Sequence, residues 1–223
     1  YNFTVEENMP FDKDVSLDPE LLGKVFENLL ASYNPETQQT ARKQTGSFYT
    51  PREIVQYMVD ESLVTHLKRT VGNELESEYR KLLDYADNEI LLTEQQKLAI
   101  MQSLYNCKIL DPACGSGAFP VGVLQQMVHI LKQIDPDNSR WKNMLLQFAI
   151  DETSEAYLNS TAEERREAVA DIERAFDENV NYPDYARKLH LIENCIYGVD
   201  IQPIAIQISK LRFFISLVID QKR

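Results

Sequence analysis

The sequence predicts a helix-rich α/β fold. Two strand–turn–helix units and the three- and four-residue spacing of the apolar positions predict it. The first unit begins with Cys107 to Leu110, a brief apolar run with one lysine that reads as a short buried strand. Asp111-Pro112-Ala113-Cys114-Gly115-Ser116-Gly117 follows as a turn, in which Gly115 and Gly117 permit positive φ and close backbone approach. Pro120 suits the first turn of a helix, and Val121, Leu124, Val128 and Leu131 give that helix its apolar stripe. The second unit is Cys195 to Val199, then Asp200, then a helix with Ile204, Ile208, Leu211, Ile215 and Val218 on one face. Two such units in order are the start of a parallel sheet, whose ligands bind beyond the carboxyl ends of the strands.

The remaining elements are helical. Asp18 and Pro19 open a helix with Leu21, Leu22, Val25, Phe26, Leu29 and Leu30 as its packing face. A polar connector covers 34 to 47, and its Arg42 and Lys43 read as a solvated pair. Thr50 and Glu53 fit a capping box, with Pro51 at the first helical position and Val55, Val59, Leu63 and Leu67 behind it. Residues 74 to 106 form two helices. Leu75, Tyr79, Leu82 and Leu83 mark the first; the second has a Thr93–Gln96 capping box and a face of Leu98, Met101, Leu104 and Tyr105. Asp135 to Ser139 is a loop, Trp141 to Ile150 a short helix, and Thr161 with Glu164 caps a charged helix over 165 to 180. A last helix runs from Pro183 to Glu193. The domain reading is a helical region over 1–106 and the first part of an α/β domain over 107–223, with a helical insertion at about 140–193.

Composition narrows the function classes. The net charge is −12, so the chain alone should bind DNA weakly or not at all, because lysine and arginine contacts to phosphate dominate that affinity. Cys107, Cys114 and Cys195 are an odd set without C-x-x-C spacing, which fits free buried thiols in a reducing compartment, the cytoplasm, and no metal site. No apolar run approaches the roughly 20 residues of a membrane helix, and the N-terminus lacks a signal-peptide pattern. It also lacks an initiating Met, which suggests a piece of a longer protein.

The chemistry concentrates at the two strand ends. The turn exposes N–H groups and the positive end of a helix dipole, a place for a carboxylate or a phosphate. A dinucleotide fingerprint would need a third glycine where Pro120 stands. An acidic strand end can hold a ribose diol, usually about 20 residues after the glycines; here Asp200 lies 85 residues after Gly115, so the intervening helices are an insertion. Without function, Asp200 reads as a cap before Pro203 and Asp111 as a brace for the turn. Cys114 reads as a small turn residue, since none of His66, His129 and His190 sits in a recognisable catalytic context.

Three stretches resemble those of N6-adenine DNA methyltransferases: Gly46-Ser-Phe-Tyr-Thr-Pro51, Asp111-Pro-Ala-Cys-Gly-Ser-Gly-Ala-Phe119 and Tyr197-Gly-Val-Asp-Ile-Gln-Pro203. Leu21-Leu-Gly-Lys-Val-Phe-Glu27 and Ile208-Ser-Lys-Leu-Arg-Phe213 look like the large bifunctional type II restriction–modification enzymes. The resemblance implies an incomplete Rossmann-like domain that uses S-adenosylmethionine. Tyr49 and Thr50 would close over the methionine end. Asp111 would orient its amino group, and the backbone from Ala113 to Gly117, with Pro112, Cys114, Gly115 and Ser116 in the turn, would hold its carboxylate. Asp200 would take the ribose hydroxyls and Ile201 would pack on the adenine. The family's catalytic Asn/Asp-Pro-Pro-aromatic motif is absent, since the sequence has no Pro-Pro. No catalytic residue is therefore expected in this chain, which reads as the N-terminal part of a methyltransferase acting on double-stranded DNA through its full length. The uncovered sheet edge is expected to favour self-association. The rival readings are a non-catalytic scaffold that keeps the fold, and a nicotinamide dehydrogenase, which the missing glycine disfavours.

Overall fold

The computed structural model describes residues 50–86, 88–151 and 160–222, together with the backbone of 33–34 and 39–40. The expected helix after Asp18 and the aromatic Tyr49 lie outside the described residues. Strands β1 (Tyr33–Asn34) and β2 (Gln39–Thr40) form an antiparallel ribbon inside the expected polar connector, pairing Tyr33 with Thr40. Helices α1 (Arg52–Thr70), α2 (Glu76–Leu83) and α3 (Glu94–Asn106) follow. Strand β3 (Ile109–Asp111) leads through the glycine turn into α4 (Ala118–Ile134). Helices α5 (Ser139–Ile150), α6 (Ala162–Ala175) and α7 (Asp184–Asn194) precede β4 (Ile196–Gly198) and α8 (Pro203–Val218). The chain is thus helix-rich α/β, as its periodicity predicts.

The residues cluster into two compact units, each assembled from separate stretches of chain, where the sequence suggests a boundary at 106/107. One unit takes 1–59, 109–123 and 197–219. In it β3 and β4 form a two-stranded sheet. The Val199 N–H donates to the Asp111 carbonyl at 2.9 Å and the Val199 carbonyl accepts from the Cys114 N–H at 3.0 Å, the flanking pattern of parallel strands. Gly122 lets α4 approach α1: a Cβ there would stand 3.2 Å from Val55 Cγ1 and 3.5 Å from Val59 Cγ2.

The other unit takes 60–108, 124–196 and 220–223. Its core contains Leu63, Leu67, Tyr79, Leu82, Ile100, Met101, Leu104, Leu124, Met127, Ile130, Leu131, Trp141 and Leu191, all essentially without solvent exposure. Two of its buried polar side chains are held by hydrogen bonds. Gln126 Nε2 donates to Asp60 Oδ1 at 2.6 Å and to the Leu83 carbonyl at 3.2 Å. Arg187, 1% exposed, donates to Asp184 Oδ1 at 2.8 Å and to the Asp135 carbonyl. Cys107 and Cys195 are free and buried, and burial pushes both thiols up to about 11, as expected for inert core cysteines.

Several sequence expectations shift for local reasons. The capping boxes at Thr93–Gln96 and Thr161–Glu164 both form. The one at Thr50–Glu53 does not, because α1 begins a residue late: the Pro51 carbonyl takes the N–H groups of Ile54 and Val55 at 3.0 and 3.1 Å, so Pro51 holds the cap position. Helix α5 starts two residues early because the buried Asp135 carboxylate accepts from the N–H groups of Arg140 and Trp141. Helix α6 stops at Ala175 instead of reaching Val180, since Asp177 Oδ1 takes the Asn179 N–H at 2.9 Å and turns the chain. Leu98 is exposed rather than packed. The β3 run is not fully buried either: Leu110 is 62% exposed, because a sheet of two strands leaves a face open.

The largest correction concerns α8. Ile204, Leu211 and Val218 of the expected packing stripe are exposed, with Phe214, whereas Ala205, Ile208, Ser209, Arg212 and Ser216 are buried. The inward face recurs at three- and four-residue steps like any packed helical face, but beside Ala205 and Ile208 it is polar.

Candidate functional site

The parallel pairing places the carboxyl ends of β3 and β4 side by side; Asp111 is the last residue of β3, and Asp200 follows β4 by two residues. Gly115 and Gly117 adopt φ of 53° and 88°, so the turn between β3 and α4 uses the left-handed backbone that the glycines predict. Asp111 Oδ1 accepts from the Ala113 N–H at 3.0 Å and braces the turn. Its Oδ2 is buried and has no hydrogen-bond partner. Asp200 Oδ2 accepts from the Gly115 N–H at 2.9 Å, and Oδ1 from the Gln202 N–H at 2.8 Å. Asp200 therefore ties the turn to the start of α8, but it is not the expected cap, a position that Gln202 holds.

Cys114 lies between these carboxylates. Burial first, then the charges of Asp111 and Asp200, push its thiol up, so it is not a thiolate nucleophile. A Cβ on Gly198 would come within 2.9 Å of its Sγ, so the strands meet over a small residue. Pro112 and Ala113 are exposed on the rim. Ser116 is buried, and Arg212 Nη1 donates to its carbonyl at 3.0 Å. Gly117 packs against α8, where a Cβ would stand 2.4 Å from Ser209 Oγ. Thr50 is half-buried, and Ile201 is 88% exposed at the edge of the site. Arg212 and Ser209 are the residues that sequence reasoning missed. Their signal was the second helical spacing in α8, the polar Ser209, Arg212 and Ser216, which the apolar stripe masks.

Most N–H groups of the turn are already used. Ala113 and Gly115 donate to carboxylates, Cys114 to the Val199 carbonyl, and Gly117 to the Cys114 carbonyl at 2.8 Å. Among the described residues, no acceptor meets the N–H groups of Ala118 and Phe119, the first residues of α4. Helix starts leave such donors open, and they favour an anion. The turn thus carries an unpartnered carboxylate oxygen at one end and open N–H donors at the other. A zwitterionic amino-acid group matches this donor set, ammonium to Asp111 and carboxylate to α4. A pyrophosphate would meet the charges of Asp111 and Asp200. Among the described residues no cluster of His, Cys, Asp or Glu could hold a metal ion, and no helix is long and apolar enough to cross a membrane.

The model describing N-6 DNA methylase matches residues 17–73. A protein of Methanocaldococcus jannaschii named as a type II restriction enzyme and methyltransferase is 26% identical over 230 residues, covering 98% of this chain. Over residues 17–73 this chain is similar to the N-6 DNA methylases. The methylase match includes Thr50 and all of α1 and ends ahead of the glycine turn; the archaeal relative aligns across nearly the whole chain. The chain spans 15% of that relative's length. No solved structure matches.

Proposed function

We propose that this chain forms the cofactor-binding part of a DNA methyltransferase that transfers a methyl group from S-adenosylmethionine to adenine N6, within a restriction–modification or phage-defence system. The observation that carries the reading is the buried, unpartnered Asp111 Oδ2 beside the glycine turn. A buried carboxylate oxygen without a donor costs free energy that an ammonium group would recover. Asp111 receives the amino group of the cofactor, and the N–H groups of Ala118 and Phe119 receive its carboxylate. Asp200 exchanges one of its backbone bonds for the ribose hydroxyls, Ile201 covers the adenine, and Tyr49 and Thr50 close over the methionine end. When bound, the cofactor supplies a methyl group on a cationic sulfur, which two nearby carboxylates tolerate well.

The fold in this reading is the first part of a Rossmann-like methyltransferase domain in a cytoplasmic protein. Transfer needs a flipped adenine and residues that hold it. Without a Pro-Pro motif this chain supplies none, so by itself it binds cofactor and does not methylate. Duplex DNA is the partner of the full-length protein. The open β3–β4 face, with Leu110 and Tyr197 exposed, supports self-association of the isolated chain.

Calorimetric titration with S-adenosylmethionine, with NAD as control, tests the reading. Selective heat of binding for S-adenosylmethionine, lost in Asp111→Asn, is the expected result. One observation favours a second reading, a scaffold that keeps the fold without cofactor: Asp200 already satisfies Gly115 and Gln202 internally. Absence of binding by both this chain and a longer one would establish that reading, and preferential binding of NAD would revive the dehydrogenase.

A further inference from the structure

Helix α8 turns Ser209, Arg212 and Ser216 inward while Ile204, Leu211, Phe214 and Val218 face out. The inward face meets the glycine turn at two points. Ser209 Oγ fills the space beside Gly117, and Arg212, 5% exposed, donates from Nη1 to the Ser116 carbonyl at 3.0 Å. Lysine and arginine are rarely this buried unless paired, and here the partner is the turn itself. Ser116 precedes Ala118 by two residues, which span at most about 7 Å of chain. The guanidinium therefore stands within roughly 10 Å of the open N–H donors at the start of α4. At that range, behind low-dielectric protein, a unit charge acts strongly on an anion.

We propose that Arg212 is a positioning residue of the glycine turn: its bond to Ser116 holds the turn, and its charge selects nucleosides that carry a carboxylate. The inference rests on the cofactor reading above and adds a specificity determinant from a helix remote in sequence.

The test titrates the full 223-residue chain with S-adenosylhomocysteine and with 5′-methylthioadenosine, which lacks the amino-acid end. Wild type should prefer S-adenosylhomocysteine. Arg212→Met should cut that preference by roughly tenfold to a hundredfold while leaving methylthioadenosine affinity within a factor of about two. Arg212→Lys keeps the charge and should keep most of the preference. Should Arg212→Met fail to fold, the lysine variant decides alone: a folded Arg212→Lys chain without the preference overturns the proposal. Equal losses for both nucleosides in Arg212→Met would make Arg212 a mere prop. Wild-type binding of methylthioadenosine without preference overturns the Arg212 inference and leaves the cofactor reading standing, whereas binding of neither nucleoside overturns both.

Discussion

At Gly117 an added methyl would stand 2.4 Å from Ser209 Oγ, whereas at Gly115 it would meet nothing within 4 Å. Both glycines have left-handed φ, so each alanine substitution carries about 1–2 kcal/mol of backbone strain. Gly115→Ala should cost that alone, and Gly117→Ala should cost about 1–3 kcal/mol more through the clash. Urea unfolding should show the difference, and adding Ser209→Gly should recover only the clash. His190 gives a pH signature. Its ring stacks on Tyr105 at 4.6 Å and meets the Trp141 edge at 5.4 Å, and burial lowers its pKa from 6.5 to about 4. The unfolded chain takes up this proton near 6.5 and the folded chain only near 4. Stability is therefore full above pH 6.5 and falls as pH drops toward 4, by on the order of 2–3 kcal/mol. Unfolding midpoints between pH 7 and 5 should show a slope that His190→Phe removes. At this scale the sequence displayed Asp111, Asp200 and the glycines, because strand ends and φ requirements are local. It did not display Arg212, whose place at the turn depends on a bond to a carbonyl 96 residues away.

Helix starts separate local from tertiary information. The Thr93 and Thr161 boxes were readable because a cap needs only four consecutive residues. Thr93→Ala and Thr161→Ala should each lower stability by about 1 kcal/mol in chemical denaturation. Thr50 makes no capping bond, so Thr50→Ala should leave stability within about 0.5 kcal/mol of wild type. Any loss in cofactor titration would then report a binding role. The α8 stripe failed at Ile204, Leu211 and Val218 for the opposite reason. Apolar spacing shows that a helix forms, but a helix bearing two periodic faces can turn either one inward. Here bonds from Arg212 and close packing at Ser209 set the rotation, and neither is visible in hydropathy.

Charge acts over the whole molecule, and it sets what the chain does with DNA. The sequence has 35 acidic and 23 basic side chains, and several of the basic ones are already engaged: Arg80 with Glu61 and Glu76, Lys132 and Arg187 with Asp184, Lys188 with Asp220. Non-specific DNA binding draws on free cations that replace condensed counterions, and typical dissociation constants are about 10⁻⁴ to 10⁻⁶ M at physiological salt. A chain at −12 should fall on the weak side of that range, because each phosphate it approaches also meets unneutralised carboxylates. Fluorescence anisotropy with a labelled duplex should show no saturation below about 100 μM protein at physiological salt. Lowering the salt should recover little affinity, since screening also weakens repulsion and its removal strengthens it. Micromolar binding with a steep salt slope would instead mean that the basic residues share one face, and it would place a DNA contact on this chain. Weak binding alongside cofactor binding would show that these 223 residues do not recognise DNA by themselves.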